Sequence, residues 1–170
     1  MASVLRFLAR RRVTIGFASA IVAMWLAEPT RRSVAIGAVV ALAGEAVRVW
    51  AAGHLEKGRE VTTTGPYRLA RHPLYLGSTI IGVGVAIASA NVIVAALVLG
   101  YLAVTLTAAI MAEESHLTDK FGAAYPAYRE GHVSATGRRF SLERVLRNRE
   151  YRAVGGLVLA FGLLWWKTIT

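Results

Sequence analysis

Long uncharged runs broken by short charged clusters predict an all-α, polytopic integral membrane helical bundle of about five transmembrane helices. Three observations carry that prediction. Hydrophobic residues make up 55% of the chain and the mean hydropathy is +0.48, too apolar for an ordinary soluble domain. The 18% of charged residues gather between the apolar runs instead of alternating with them as on a solvated helix. At 170 residues, the chain has room for a single domain, 1–170.

The first span is expected at about 13–27, after Arg6 and the cluster Arg10, Arg11 and Arg12. This opening has the charge and hydropathy of a signal peptide, but no small-x-small cleavage pattern precedes Glu28, so a retained span is expected. A second span at 33–54 is interrupted only by Glu45 and Arg48, and a polar segment, 55–73, follows. The uncharged run 74–112 is too long for one ~30 Å crossing at ~1.5 Å per residue. It reads as a helical hairpin, 74–90 and 92–112, with its turn at Ser89-Ala90-Asn91. Within the first arm, Ser78, Gly82, Ala86 and Ala90 form a small-residue stripe that admits a close neighbour.

The segment 113–150 is charged, yet Leu117, Phe121, Tyr125 and Tyr128 recur at helical spacing, which fits an amphipathic segment at the membrane interface. A fifth span is expected at 151–167, with Trp165 and Trp166 as interface anchors. Placing the amino terminus inside puts 16 Lys and Arg residues on the cytoplasmic side, against 3 outside and Arg48 within a span. That placement assigns the net charge of +10 to a bilayer partner and not to nucleic acid. It also puts 55–73 and 113–150 together on the cytoplasmic side. The chain has no cysteine, and His54, His72, His116 and His132 lack ligand spacing, so no metal site is expected.

Two of the charged clusters have the residue types of a ligand site. Gly65-Pro66-Tyr67 leads through Arg71-His72-Pro73 into Tyr75 at the start of the third span. Proline favours the first helical turn and pushes the residue before it out of helical geometry, which puts His72 at the threshold of the span. Free N–H groups there, beside Arg71 and His72, would suit a carboxylate or phosphate; the plainer reading makes both side chains headgroup anchors. The second cluster is Glu113-Glu114 after the fourth span, where adjacent helical positions about 100° apart leave one carboxylate for a site and one for a cation. Its plainer reading is a solvated helix end, although acids there oppose the helix dipole. Glu45 and Arg48, three apart on one helical face, either neutralise each other or line a substrate cleft. Gly82-Val83-Gly84 lacks the third glycine of a dinucleotide loop and sits within a span.

In these residues the chain resembles the isoprenylcysteine carboxyl methyltransferase family and its relatives, the phospholipid methyltransferases. The resemblance runs over about 90 residues in order: Gly44-Glu45-Ala46-Val47-Arg48, Ala52-Gly53, Gly65-Pro66-Tyr67, Arg71-His72-Pro73-Leu74-Tyr75-Leu76-Gly77, Glu113-Glu114 and Phe121-Gly122-x-x-Tyr125-x-x-Tyr128, to Val133. It implies an S-adenosylmethionine-dependent methyltransferase with a cytoplasmic cofactor pocket, a lipophilic acceptor entering from the bilayer, and S-adenosylhomocysteine as product. Carried over, Arg71 and His72 would bind the methionine carboxylate. Gly65, Tyr67 and Tyr75 would shape the pocket, and Glu113 or Glu114 would hold the ribose. Arg48 would orient an acceptor carboxylate, and Glu45 would serve as base for an amine acceptor. The segment Val133-Ser134-Ala135-Thr136 departs from the proline-rich continuation of many relatives. The added fifth span resembles a bacterial branch, which implies an inner-membrane location. The expected reaction is carboxyl O-methylation, with lipid or small-amine N-methylation as the alternative and a non-enzymatic transporter or scaffold as the rival of another class.

Overall fold

The computed structural model describes residues 16, 18–122, 124–130 and 137–170, with the side chains of residues 124 and 129 excepted. Arg6 and residues 10–12, the start of the first span, His132 and residues 133–136 lie outside the described residues. Those described form helices α1 (18–26), α2 (Arg31–Ala52), α3 (Pro73–Ser89), α4 (Val92–Phe121), α5 (Ala124–Arg129), α6 (Leu142–Arg147) and α7 (Tyr151–Lys167), with a 3-10 turn at Gly65–Arg68 and no strand among them. Two of these helices, α2 and α4, are long and apolar enough to cross a membrane, while α3 is apolar but shorter, at 17 residues.

The antiparallel pair α2 and α3 is the centre of the bundle, and its seam is made of the smallest side chains. A Cβ placed on Gly37 would lie 2.4 Å from the Gly84 carbonyl oxygen, and one on Gly44 would lie 2.7 Å from that of Gly77. Gly84 in turn faces the Gly37 carbonyl and Ala41, while Gly77 faces the Gly44 carbonyl and Arg48. The spacing 37, 41, 44, 48 against 77, 84, 88 is a single helical face on each partner, so backbone meets backbone along the seam. Of the stripe singled out from sequence, Gly82 packs against Leu102 and Val98 of α4, while Ser78 meets Arg48 of α2. α3 carries two small-residue faces, and the sequence did not say which one met α2.

The helix ends are fixed by local chemistry. Thr30 and Ser33 cap α2 reciprocally, each side-chain oxygen accepting the other residue's N–H at 3.0 and 2.9 Å. Ser33 Oγ also donates to the Ala88 carbonyl at 3.0 Å, locking the start of α2 to the end of α3. Ala90 takes the left-handed conformation (φ 48°), and Asn91 Oδ1 then caps α4 by accepting the Ile93 and Val94 N–H groups. α4 does not stop where its apolar run stops. It continues from residue 112 to Phe121 and ends at Gly122 (φ 52°), so Glu113, Glu114, Leu117 and Phe121 belong to a continuous helix and not to a separate interfacial segment. A charged residue does not break a helix once its backbone bonds can continue into water. At the far end of the bundle, Lys167 Nζ bonds the Met24 and Trp25 carbonyls at 2.9 and 2.8 Å, satisfying the last carbonyls of α1 from α7.

Candidate functional site

The Gly65-Pro66-Tyr67 turn docks on the end of α2. His54, buried just past that helix, holds the Trp50 carbonyl through Nδ1 at 3.0 Å and lies between Gly65 and the Phe140 ring. Gly65 has φ 58°, and a Cβ there would stand 2.6 Å from the imidazole, so both backbone and space demand glycine. From the other side, Tyr128 Oη of α5 donates to the Tyr67 carbonyl at 2.6 Å. Replacing Tyr128 by phenylalanine is therefore expected to lower stability by about 1 kcal/mol and loosen the turn. Thermal unfolding in detergent checks this; an unchanged melting temperature would remove the bond from the account.

The turn, the start of α3 and the outer end of α4 enclose a cavity of about 600 Å³. Tyr67, Arg71, His72, Tyr75 and Glu113 stand on its wall together with Arg48. His116, Leu117, Lys120 and Phe121 continue the wall from Glu113 along one face of α4, and Glu56, Lys57 and Glu60 close it from the 55–62 loop. Of the residues expected from sequence, Gly65, Glu114 and Glu45 are not on this wall. Gly65 faces His54, as described. Glu114 sits behind the wall, with Oε1 3.1 Å from His72 Nε2 and 3.8 Å from Arg71. Glu113 Oε2 is 4.0 Å from His72 Nδ1. Glu113 thus stands on the cavity wall, while Glu114 holds His72 and Arg71.

His72 ends the loop as the N-cap of α3 and stacks on Tyr75 with ring centroids 5.7 Å apart. The expected set of free N–H groups at this helix end is smaller than the sequence implied. Pro73 has none, and the Tyr75 and Leu76 N–H groups both bond the His72 carbonyl. Any anion held here is held chiefly by side chains. The neighbouring phenols are kept neutral: burial pushes Tyr67 well above the ordinary tyrosine range, and burial, then the Glu114 carboxylate, pushes Tyr125 up to about 12. They stay hydrogen-bond donors at any physiological pH.

A second cavity, about 470 Å³ and almost wholly apolar, lies deeper among the helices. Side chains of α1, α3, α4 and α7 line it, including Met24, Ile81, Leu97, Tyr101 and Leu157. Among the described residues, Arg48 alone is common to both walls. Its Nη1 donates to Ser78 Oγ at 2.5 Å and to the Leu74 carbonyl at 3.4 Å, its Nη2 meets Glu150 at 2.5 Å, and its Nε lies 3.8 Å from Glu45. Glu45 is buried behind the arginine, and among the described residues neither of its carboxylate oxygens has a hydrogen-bond partner.

Sequence reasoning missed Lys120 and Glu150. The first could have been found by following the helical repeat seven residues on from Glu113. For Glu150 there was no signal, because its stretch reads as a solvated charged segment until the fold buries it. Among the described residues, no group of three or more histidine or acidic side chains gathers as metal ligands do. A family model described as phospholipid methyltransferase matches residues 12–124, more than half of the chain. No curated protein and no solved structure matches it.

Proposed function

The chain belongs to the phospholipid methyltransferase family, and we propose that this membrane methyltransferase uses S-adenosylmethionine to N-methylate an amine-bearing lipid that enters from the bilayer. The observation that carries the proposal is the pair of cavities meeting at Arg48, one polar and one apolar. Separate chambers of opposite polarity suit a polar donor and a lipid acceptor that must meet at one point.

The polar cavity fits the donor by chemistry. Its volume is within the ~300–1,000 Å³ usual for small-ligand pockets, and its wall offers Arg71 and His72 to a carboxylate, Glu113 to ribose hydroxyls, and Tyr67, Tyr75 and Phe121 to adenine or a sulfonium. Glu114 is read as the group that orients Arg71 and His72, which leaves the ribose to Glu113. When bound, S-adenosylmethionine supplies a methyl group on a positively charged sulfur, and S-adenosylhomocysteine is the product. The chain's part is alignment in a site shielded from water, where positioning alone can supply several kcal/mol, about 7–11 at best.

An ammonium acceptor must lose one proton before its nitrogen lone pair can attack. Glu45, buried beside Arg48 at the junction, is the candidate acceptor of that proton. Carboxyl O-methylation, the reaction first expected, remains the second reading because Arg48 is the charged side chain that both cavities share. Against it, Arg48 Nη1 is already bonded to Ser78 and Leu74 and Nη2 is ion-paired with Glu150, so an acceptor carboxylate would have to compete with Glu150 for the guanidinium. Membership of an enzyme family stands against the transporter or scaffold reading. We further propose that five spans, with the polar cavity on the cytoplasmic side of a bacterial inner membrane, complete the arrangement; the asymmetry of Lys and Arg supports this.

Incubation of the reconstituted protein with methyl-labelled S-adenosylmethionine and membrane lipid tests the proposal. Label is expected in lipid, in a form that survives mild base. Label released as methanol would identify a methyl ester and favour the second reading, and no transfer to any lipid would contradict both.

A further inference from the structure

Glu150 lies outside the part of the chain that matches the family, yet it makes the closest charged contact of the junction arginine. Arg48 and Glu45 alone would be electrically balanced, i,i+3 on one helix. A second acid, itself 5% exposed, gives the buried trio two carboxyl groups to one guanidinium. Burying an acidic group beyond the pair that would suffice is unfavourable, so it should serve something other than stability.

The turn that presents Glu150 is held in place by side chains. Asn148 Nδ2 bonds the Ala52 and Leu55 carbonyls at 2.9 and 3.1 Å, and Arg144 Nε bonds the Gly53 carbonyl at 2.7 Å. Arg149 takes a left-handed conformation (φ 60°) unusual for its type, which lets the chain turn from α6 into α7. These bonds fasten the turn to the carboxyl end of α2, one helical turn beyond Arg48. Glu150 then reaches Nη2 while α3 holds Nη1 through Ser78 and Leu74, and the guanidinium is clamped between α3 and α7.

We propose that Glu150 is a positioning residue that clamps Arg48 where the two cavities meet and, as the carboxyl group paired with it, offsets the attraction that the arginine would exert on an anionic headgroup. This rests on the reading of the two cavities as donor and acceptor chambers. No bond is made or broken at Glu150 itself. Its carboxylate acts through the arginine, by fixing its direction and by cancelling the attraction it would otherwise exert on an acceptor carboxylate.

The test uses the full chain in vesicles of phosphatidylcholine that carry both phosphatidylethanolamine and an N-acylglycine, with labelled donor. Wild type should label the amine almost exclusively. In Glu150→Gln the ratio of methyl ester to methylamine should rise about tenfold and kcat on the amine should fall, while affinity for S-adenosylhomocysteine stays unchanged. Glu150→Asp, which keeps the charge but withdraws it by one carbon, should keep the wild-type ratio and lower kcat. An unaltered ratio and kcat in Glu150→Gln that still binds S-adenosylhomocysteine would overturn the inference and leave the methyl-transfer reading intact. If Glu150→Gln does not accumulate, Glu150→Asp decides, and wild-type kcat in that variant overturns it. Failure of the wild type to label either acceptor would overturn the methyl-transfer reading, and this inference with it.

Discussion

Replacing Gly84 by leucine is expected to leave no folded protein in the membrane. The Cβ alone would stand 2.6 Å from the Gly37 carbonyl oxygen and 2.7 Å from the Ala41 amide nitrogen, both of them backbone atoms that cannot swing aside. Relief requires α2 and α3 to move apart, which opens the whole seam from residue 37 to residue 48. Overpacking a core costs about 1–3 kcal/mol where side chains can adjust, and more where they cannot. Even Gly84→Ala should lower the melting temperature in detergent. Gly155 on α7 provides the control, since no atom of the described residues lies within 4 Å of a Cβ placed there. Alanine at that position should be neutral or stabilise by about 0.5–1 kcal/mol, through the ordinary helix preference. Equal melting temperatures for Gly84→Ala and wild type would mean that the seam is not the close contact described.

The second large effect is expected at Arg48. Truncation to alanine strands Glu45 and Glu150, two buried carboxylates, without their cation. Removing one partner of a buried ion pair costs about 3–5 kcal/mol, so Arg48→Ala should unfold at markedly lower temperature and lose methyl transfer. Loss of activity alone would not separate a structural role from a functional one. The triple substitution Arg48→Met, Glu45→Gln and Glu150→Gln removes every charge of the trio and should recover most of the stability, because buried ion pairs are often replaceable by neutral side chains of similar size. It should not recover activity. Full activity in the stable triple variant would mean that the junction plays no part in the reaction.

Why some of this was legible in the sequence and some was not follows from where each signal resides. The turn at Ser89-Ala90-Asn91 could be read because a helical hairpin needs a local breaker and an N-cap, and both are set by the residues at the turn. The wall formed by Tyr67, Arg71, His72, Tyr75 and Glu113 could be anticipated because the motifs flank the ends of spans, and span ends on the same side of a bundle are neighbours. The end of α4 is not legible, because the charge at Glu113 marks the edge of the apolar run and not of the helix, which stops at Gly122, nine residues later. The face of α3 that meets α2 could not be chosen, since a small residue favours close approach without naming its partner. Glu150 was invisible for a related reason: Asn148 and Arg144 bury it through carbonyls about 90 residues away in sequence, and no local pattern encodes a bond to a distant backbone.

The division between Glu113 and Glu114 shows how fold sharpens a sequence motif. Both acids follow the same apolar run, yet only Glu113 reaches the cavity, while Glu114 is occupied with His72 and Arg71. Their substitutions should therefore differ in kind, with Glu113 changing ligand contact directly and Glu114 acting through the direction of the Arg71 and His72 side chains.

The account depends most on a donor pocket where α3 begins, facing the outer end of α4. Calorimetric titration of the purified protein with S-adenosylhomocysteine, repeated on His72→Ala and Glu113→Ala, measures this directly. Saturable binding to wild type, weakened about tenfold or more in each variant without loss of helical content, is the predicted result. Unchanged affinity in both variants would contradict the site, and absence of binding to wild type would contradict the cofactor.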